Sequence, residues 1–161
     1  MASKKRKLSA AAASSSRPID KTITTINSVT LTSTQTDMTL ATASGPCTVR
    51  GLRWDFNLMG SADSAEAIYW AIYRLKEGYA VPAIDTTGLN QMIEPEQEVL
   101  VWGVAQLLDN NAGTGPAIQK DKGETKSMRK LMSGDRLVLS FKTLSANNSV
   151  VRGGVQFFCL Y

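Results

Sequence analysis

An all-β domain of eight short strands is what this sequence predicts, on three observations. Apolar and polar residues alternate at period two in several stretches, threonine and β-branched residues fill those stretches, and clusters of Gly, Pro, Asn, Asp and Ser punctuate them. No segment reads as a helix of several turns.

The strands follow in order. From Ile19 to Thr32, Ile23, Ile26, Val29 and Leu31 lie among threonines and serines, a composition that favours a pleated strand. A second run, residues 38–43, ends at Ser44-Gly45-Pro46, and with the first it is expected to form a hairpin. In the third, Leu52, Trp54, Phe56 and Leu58 share one face and Arg53, Asp55 and Asn57 the other, so the apolar face belongs in a core. Residues 67–75 alternate Ile68, Trp70 and Ile72 against Tyr69, Ala71 and Tyr73, before a long loop through Pro82 and Gly88. Residues 99–108 form an apolar run closed by the polar stretch 109–113. Residues 125–131 come next, then a tight turn at Ser133-Gly134-Asp135 and a strand with Leu137, Leu139 and Phe141 on one face. The last, 150–161, alternates Val155, Phe157 and Cys159 with Gln156, Phe158 and Leu160. Eight strands at this spacing suggest a single jelly roll, a two-sheet antiparallel sandwich.

Charge divides the chain differently from hydropathy. The 161 residues carry 18 Lys+Arg and 14 Asp+Glu, net +4. Residues 1–21 hold six of the bases, Lys4, Lys5, Arg6, Lys7, Arg17 and Lys21, and one acid, Asp20, so this arm is +5 and residues 22–161 are −1. The arm's Ala-Ser-rich stretch has one leucine and no aromatic residue, too little apolar surface to offset ordering entropy; it reads as disordered. A basic arm on a near-neutral domain, 22–161, is the pattern of a protein that grips a polyanion through its tail. The run Lys4-Lys5-Arg6-Lys7 suits phosphate neutralisation and also nuclear import, since both use closely spaced exposed cations. Six phosphate contacts to a single strand give a salt slope of roughly −4 per chain, so one arm binds weakly and many displayed together bind well.

Chemistry finds few candidates. There is no histidine, which removes the commonest general base and the usual zinc ligand; no enzyme, metal site or cofactor is expected. Cys47 and Cys159 lie far apart in strand-like stretches and read as buried free thiols. No apolar run approaches the roughly 20 residues of a membrane-spanning helix, and the weakly apolar stretch after Lys7 is too poor for a signal peptide. Glu94, Glu96 and Glu98 form an acidic segment whose ordinary reading is an exposed loop. Gly113-Thr114-Gly115 followed by Lys120 and Lys122 matches no phosphate-loop motif and reads as a mobile loop. Lys120, Lys122, Lys126, Arg129 and Lys130 are candidate secondary contacts to nucleic acid or to a neighbouring subunit, with Lys126 and Lys130 on one side of a strand and Arg129 opposite. Trp54, Trp70 and Trp102 sit inside strands and are expected in the core or in subunit contacts.

Four phrases carry a family likeness: Arg50-Gly51-Leu52-Arg53-Trp54, Glu94-Pro95-Glu96-Gln97, Met128-Arg129-Lys130-Leu131-Met132-Ser133-Gly134-Asp135, and the ending Gly153-Gly154-Val155-Gln156-Phe157. Together they resemble coat proteins of small circular, Rep-encoding single-stranded DNA viruses, the circovirus-like group. The resemblance implies a capsid protein: a jelly-roll subunit that self-assembles into a small icosahedral shell around circular single-stranded DNA. Its expected partners are copies of itself, about 60 in the smallest icosahedral case, single-stranded nucleic acid with DNA favoured over RNA, and a nuclear import receptor; no membrane is involved. Its expected locations are the virion and the host nucleus. The arm departs from the long arginine-rich arms of circoviruses in being short and lysine-led, and small satellite RNA viruses share a compact jelly roll with a short basic arm. The alternative is a β-barrel of low oligomeric state that binds single-stranded nucleic acid.

Overall fold

The structure, a computed structural model, describes residues 19–60, 66–86, 97–107, 118–144 and 149–161. They contain eight strands and no helix: β1 (Ile19–Leu31), β2 (Thr36–Thr42), β3 (Cys47–Met59), β4 (Glu66–Leu75), β5 (Gln97–Leu107), β6 (Ile118–Leu131), β7 (Arg136–Thr143) and β8 (Ser149–Leu160). Sheet A has the order β1-β8-β3-β6 and sheet B the order β2-β7-β4-β5, with every neighbouring pair antiparallel. The pairs β1:β8, β2:β7, β3:β6 and β4:β5 are those of one long hairpin; rolling it up brings β8 against β3 and β7 against β4. This is the jelly roll that the strand count suggested.

Two local expectations change. The runs now seen as β1 and β2 do not form a hairpin: β1 pairs with β8 and β2 with β7, in different sheets. The turn signal between them is real, but it carries the chain across the sandwich, because each strand has an apolar face to bury and long-range partners decide where. β6 begins at Ile118, not near residue 125, and so takes in Lys120 and Lys122, which read as loop residues in the sequence. β1 begins at Ile19, as its composition predicts, so Ile19, Asp20 and Lys21 lie in the sheet, and residues 1–18 lie outside the described residues.

The core is the space between the sheets. Leu52, Phe56 and Leu58 of β3 and Val151, Val155 and Phe157 of β8 meet Ile68, Trp70 and Ile72 of β4 and Leu137, Leu139 and Phe141 of β7, all buried. Phe56 stands edge-on to Trp70 and to Phe141, with centroids 5.3 and 5.4 Å away, an arrangement the ring quadrupoles favour. Cys47 and Cys159 are buried free thiols on this inner side. Burial, reinforced by neighbouring Cys47, raises the Cys159 thiol to about 11, so it stays protonated and unreactive at neutral pH.

Sheet B is also covered on its outer side. Residues 76–86 cross it, and Val81 packs on Ala71, Tyr73, Leu75 and Val138. Gln35 fastens the crossing, its Nε2 donating to the Pro82 carbonyl (3.1 Å) and its Oε1 accepting from the Ile84 amide (2.6 Å). Burial on both faces explains why β4 is apolar on its Tyr69-Ala71-Tyr73 side as well.

Gly153 has φ +141°, and a Cβ there would sit 1.9 Å from the Asp55 carbonyl oxygen on β3. Gly153→Ala should therefore cost about 3 kcal/mol or more, read as a lowered urea midpoint. A second expectation concerns Tyr73, whose hydroxyl burial, with Asp37 adding, pushes up to about 12 from 10. The unfolded chain loses this proton first as pH rises, so stability is full below pH 10 and falls by about 2–3 kcal/mol through pH 12. Tyr73→Phe should flatten that alkaline loss in denaturant titrations at pH 9–12.

Candidate nucleic-acid interface

Strand alternation sends one set of residues from each strand of sheet A to its outer side, and register aligns them in rows. Across β1, β8, β3 and β6 one row reads Lys21, Phe158, Arg50, Met128; the next reads Ile23, Gln156, Arg53, Glu124; the next Thr25, Gly154, Asp55, Lys122. Arg152, Asn57 and Lys120 continue the pattern at one end, and Leu160, Thr48 and Lys130 at the other. Lys126 lies on β6 between Glu124 and Met128, exposed like them.

This surface concentrates positive charge that the sequence total conceals. Among the described residues of 22–161 it takes seven of the twelve cations and two of the nine carboxylates, and Lys21 adds an eighth cation. Among the described residues the rest of that domain has five cations against seven carboxylates, so the two parts differ in sign. Both carboxylates on the face are occupied: Arg53 Nε reaches Glu124 Oε2 at 2.8 Å and Lys120 Nζ reaches Asp55 Oδ1 at 3.5 Å. Among the described residues, Lys21, Arg50, Lys122, Lys126, Lys130 and Arg152 have no carboxylate within ion-pair distance. Solvated cations without partners are free to meet an incoming anion at little desolvation cost.

The candidate residues from the sequence divide accordingly. Lys4, Lys5, Arg6, Lys7 and Arg17 lie outside the described residues. Lys21, Lys120, Lys122, Lys126 and Lys130 come together on the outer face of sheet A. Arg129 does not join them: it points the other way and pairs with Glu98 on β5, which Arg74 also approaches at 3.7 Å while contacting Asp135 at 3.1 Å. This network ties the β6 edge to sheet B, and it also engages Glu98 of the acidic segment; Glu94 and Glu96 lie outside the described residues. Arg50, Arg53 and Arg152 went unnamed as candidates, although Arg53 was legible as outward from its alternation with Leu52.

The lysine strand is held in place by a feature with no sequence signature. Asp121 turns inward between the outward Lys120 and Lys122 and accepts from two indoles, Trp54 Nε1 at 3.1 Å and Trp70 Nε1 at 2.8 Å. The two rings are 5.3 Å apart and tilted by 54°. Each lies over a glycine of an edge strand, Trp54 over Gly123 of β6 and Trp70 over Gly103 of β5, where any Cβ would come within 2.6 Å of the ring. Trp102, the third tryptophan, is 70% exposed on the outer side of β5, beside exposed Val104.

No family model matches the chain, and no curated protein matches it. Among solved structures it is similar to a chain in the structure of infectious bursal disease virus, Gx strain, at 14% identity and a TM-score of 0.25, the match covering 99% of this chain and 46% of that one. The chain thus spans less than half the length of that neighbour, and a likeness at this TM-score carries no argument.

Asp121→Asn keeps one acceptor for the two indoles and aims an amide N–H at the other. It should destabilise the domain by about 1–3 kcal/mol, seen as a lower urea midpoint together with altered tryptophan emission of the folded state.

Proposed function

We propose that this chain is a viral coat subunit that self-assembles into a small icosahedral shell and packages single-stranded nucleic acid, DNA in preference to RNA. The observation that carries the reading is a jelly roll polarised between a cationic sheet face and an exposed apolar edge. A jelly roll by itself is compatible with unrelated roles, lectins included; the segregated charge favours a polyanionic partner. The phrases that resemble circovirus-like coat proteins support the same reading, in which the chain is not an enzyme.

Association needs apolar surface that a lone domain leaves wet. Trp102 supplies it, since a tryptophan 70% exposed on a strand face is the kind of anchor that a partner desolvates. In a closed shell of about 60 copies the arms, residues 1–18 at +5 each, would bring on the order of 300 net positive charges to one enclosed volume. Lys4, Lys5, Arg6 and Lys7 would also serve an import receptor, placing the protein in the host nucleus before it enters the virion. A single-strand-binding β-barrel of low oligomeric state is the second reading, favoured by the same cationic face.

Negative-stain microscopy of the purified chain distinguishes the two. Closed shells are expected; small discrete oligomers under every ionic condition would sink the coat reading. Trp102→Ser should leave a folded domain that no longer forms shells. Deleting residues 2–17, which leaves β1 intact, should leave shells with a lower 260/280 nm absorbance ratio.

A further inference from the structure

We infer that the outer face of sheet A is itself a binding track for single-stranded nucleic acid, with a column of cations that meets its phosphates and a glycine-floored hollow that seats an unpaired base. The inference deepens the packaging role above, because it moves part of the binding from the arm into the folded domain.

Three features of the face point to this ligand. First, β6 presents Lys120, Lys122, Lys126 and Lys130 on one side. Lys120 and Lys122 stand about 6.8 Å apart at strand rise, comparable to the separation of successive phosphates. Lys126 and Lys130 follow at intervals of about 14 Å, with Glu124, paired to Arg53, and Met128 at the outward positions between. The column from Lys120 to Lys130 is about 34 Å long, enough for several nucleotides. Second, apolar groups interleave with the cations. Phe158 lies between Lys21 and Arg50, its ring against Gly51, and Ile23 is 59% exposed one row away. Cations interleaved with aromatic and apolar surface are what a single strand, with its bases free to pack, can use and a duplex cannot.

Third, the face is not flat. A shallow depression of about 670 Å³ opens on it, lined by Ile23, Gln156, Lys122 and the ion pairs Arg53–Glu124 and Lys120–Asp55 and floored by Gly153 and Gly154. Its floor exists because β8 carries no side chain there: a Cβ on Gly154 would meet the Thr24 carbonyl oxygen at 2.8 Å, so these glycines allow the strands to approach and leave the outer side bare. A base can rest on that bare backbone against Ile23, with Gln156 and Asn57 offering hydrogen bonds to its edge and Lys122, unpaired among the described residues, meeting a flanking phosphate.

The test uses the full chain and oligothymidylate about 20 nucleotides long, with binding followed by fluorescence anisotropy across a salt series. Lys122→Gln, Lys126→Gln and Lys130→Gln together should lower the magnitude of the salt slope by about 2, from roughly 0.7 per lost phosphate contact, and Lys→Arg at the same three positions should restore it. An unchanged slope in the glutamine variant would overturn the track. An abasic oligomer of equal length should bind at least about tenfold more weakly, and equal affinity would overturn the seated base. Assembly is scored separately by microscopy. A chain that never forms shells but shows these binding changes refutes the coat reading alone; one that forms shells with the slope unmoved refutes the track alone.

Discussion

The carboxylate of Asp121, gripping the indole N–H groups of Trp54 and Trp70, is the interaction on which the cationic face depends. β6 is an edge strand whose inward residues Gln119, Asp121, Gly123 and Thr125 offer no apolar side chain, so hydrophobic burial cannot hold its first half against the core. Two charge-assisted hydrogen bonds and a tryptophan ring laid over Gly123 substitute for it. Because Asp121 faces in, Lys120 and Lys122 must face out. The Arg129–Glu98 pair does the same for the second half of the strand, turning Lys130 to solvent.

The same device recurs wherever an aromatic ring lies over a glycine: Trp54 on Gly123, Trp70 on Gly103, Phe158 on Gly51. At Gly123 and Gly103 the missing side chain makes room for the ring, which covers backbone at the edges β6 and β5, since a Cβ there would come within 2.6 Å of it. At Gly51, in the bulge of β3 against β8, a Cβ would meet Phe158 at 3.6 Å, and the positive φ of +66° is what calls for glycine. Gly153 and Gly154 have no ring above them, and there the sheet surface stays open.

The cations and the most exposed tryptophan occupy different sheets of the domain. Lys21, Arg50, Lys122, Lys126, Lys130 and Arg152 stand solvated on sheet A without a carboxylate partner among the described residues, so contact with any anion there costs little desolvation. The exposed Trp102 lies on sheet B, away from that face, so association through it leaves sheet A free. An arm joined at β1, the outer strand of sheet A, starts from the same sheet as the cationic surface.

Strand existence was legible from residues alone because a half-buried strand must alternate: Leu52, Phe56 and Leu58 are buried while Arg53, Asp55 and Asn57 stay exposed, and Leu137, Leu139 and Phe141 face the core although Val138 and Ser140 on the other side of β7 are buried too. The imbalance between arm and domain was likewise fixed by composition. What the sequence could not decide was pairing and partnership across distance. The β1–β2 turn says that the chain reverses, not that it changes sheet; the start of β6 is invisible because its inward side is polar; and Arg129, one residue from Lys130, reads as another surface cation until Glu98 comes in from β5. The cationic face assembles residues of four strands that are neighbours only after the hairpin has rolled up, since sheet register, set by the buried sides, decides which outward side chains stand together.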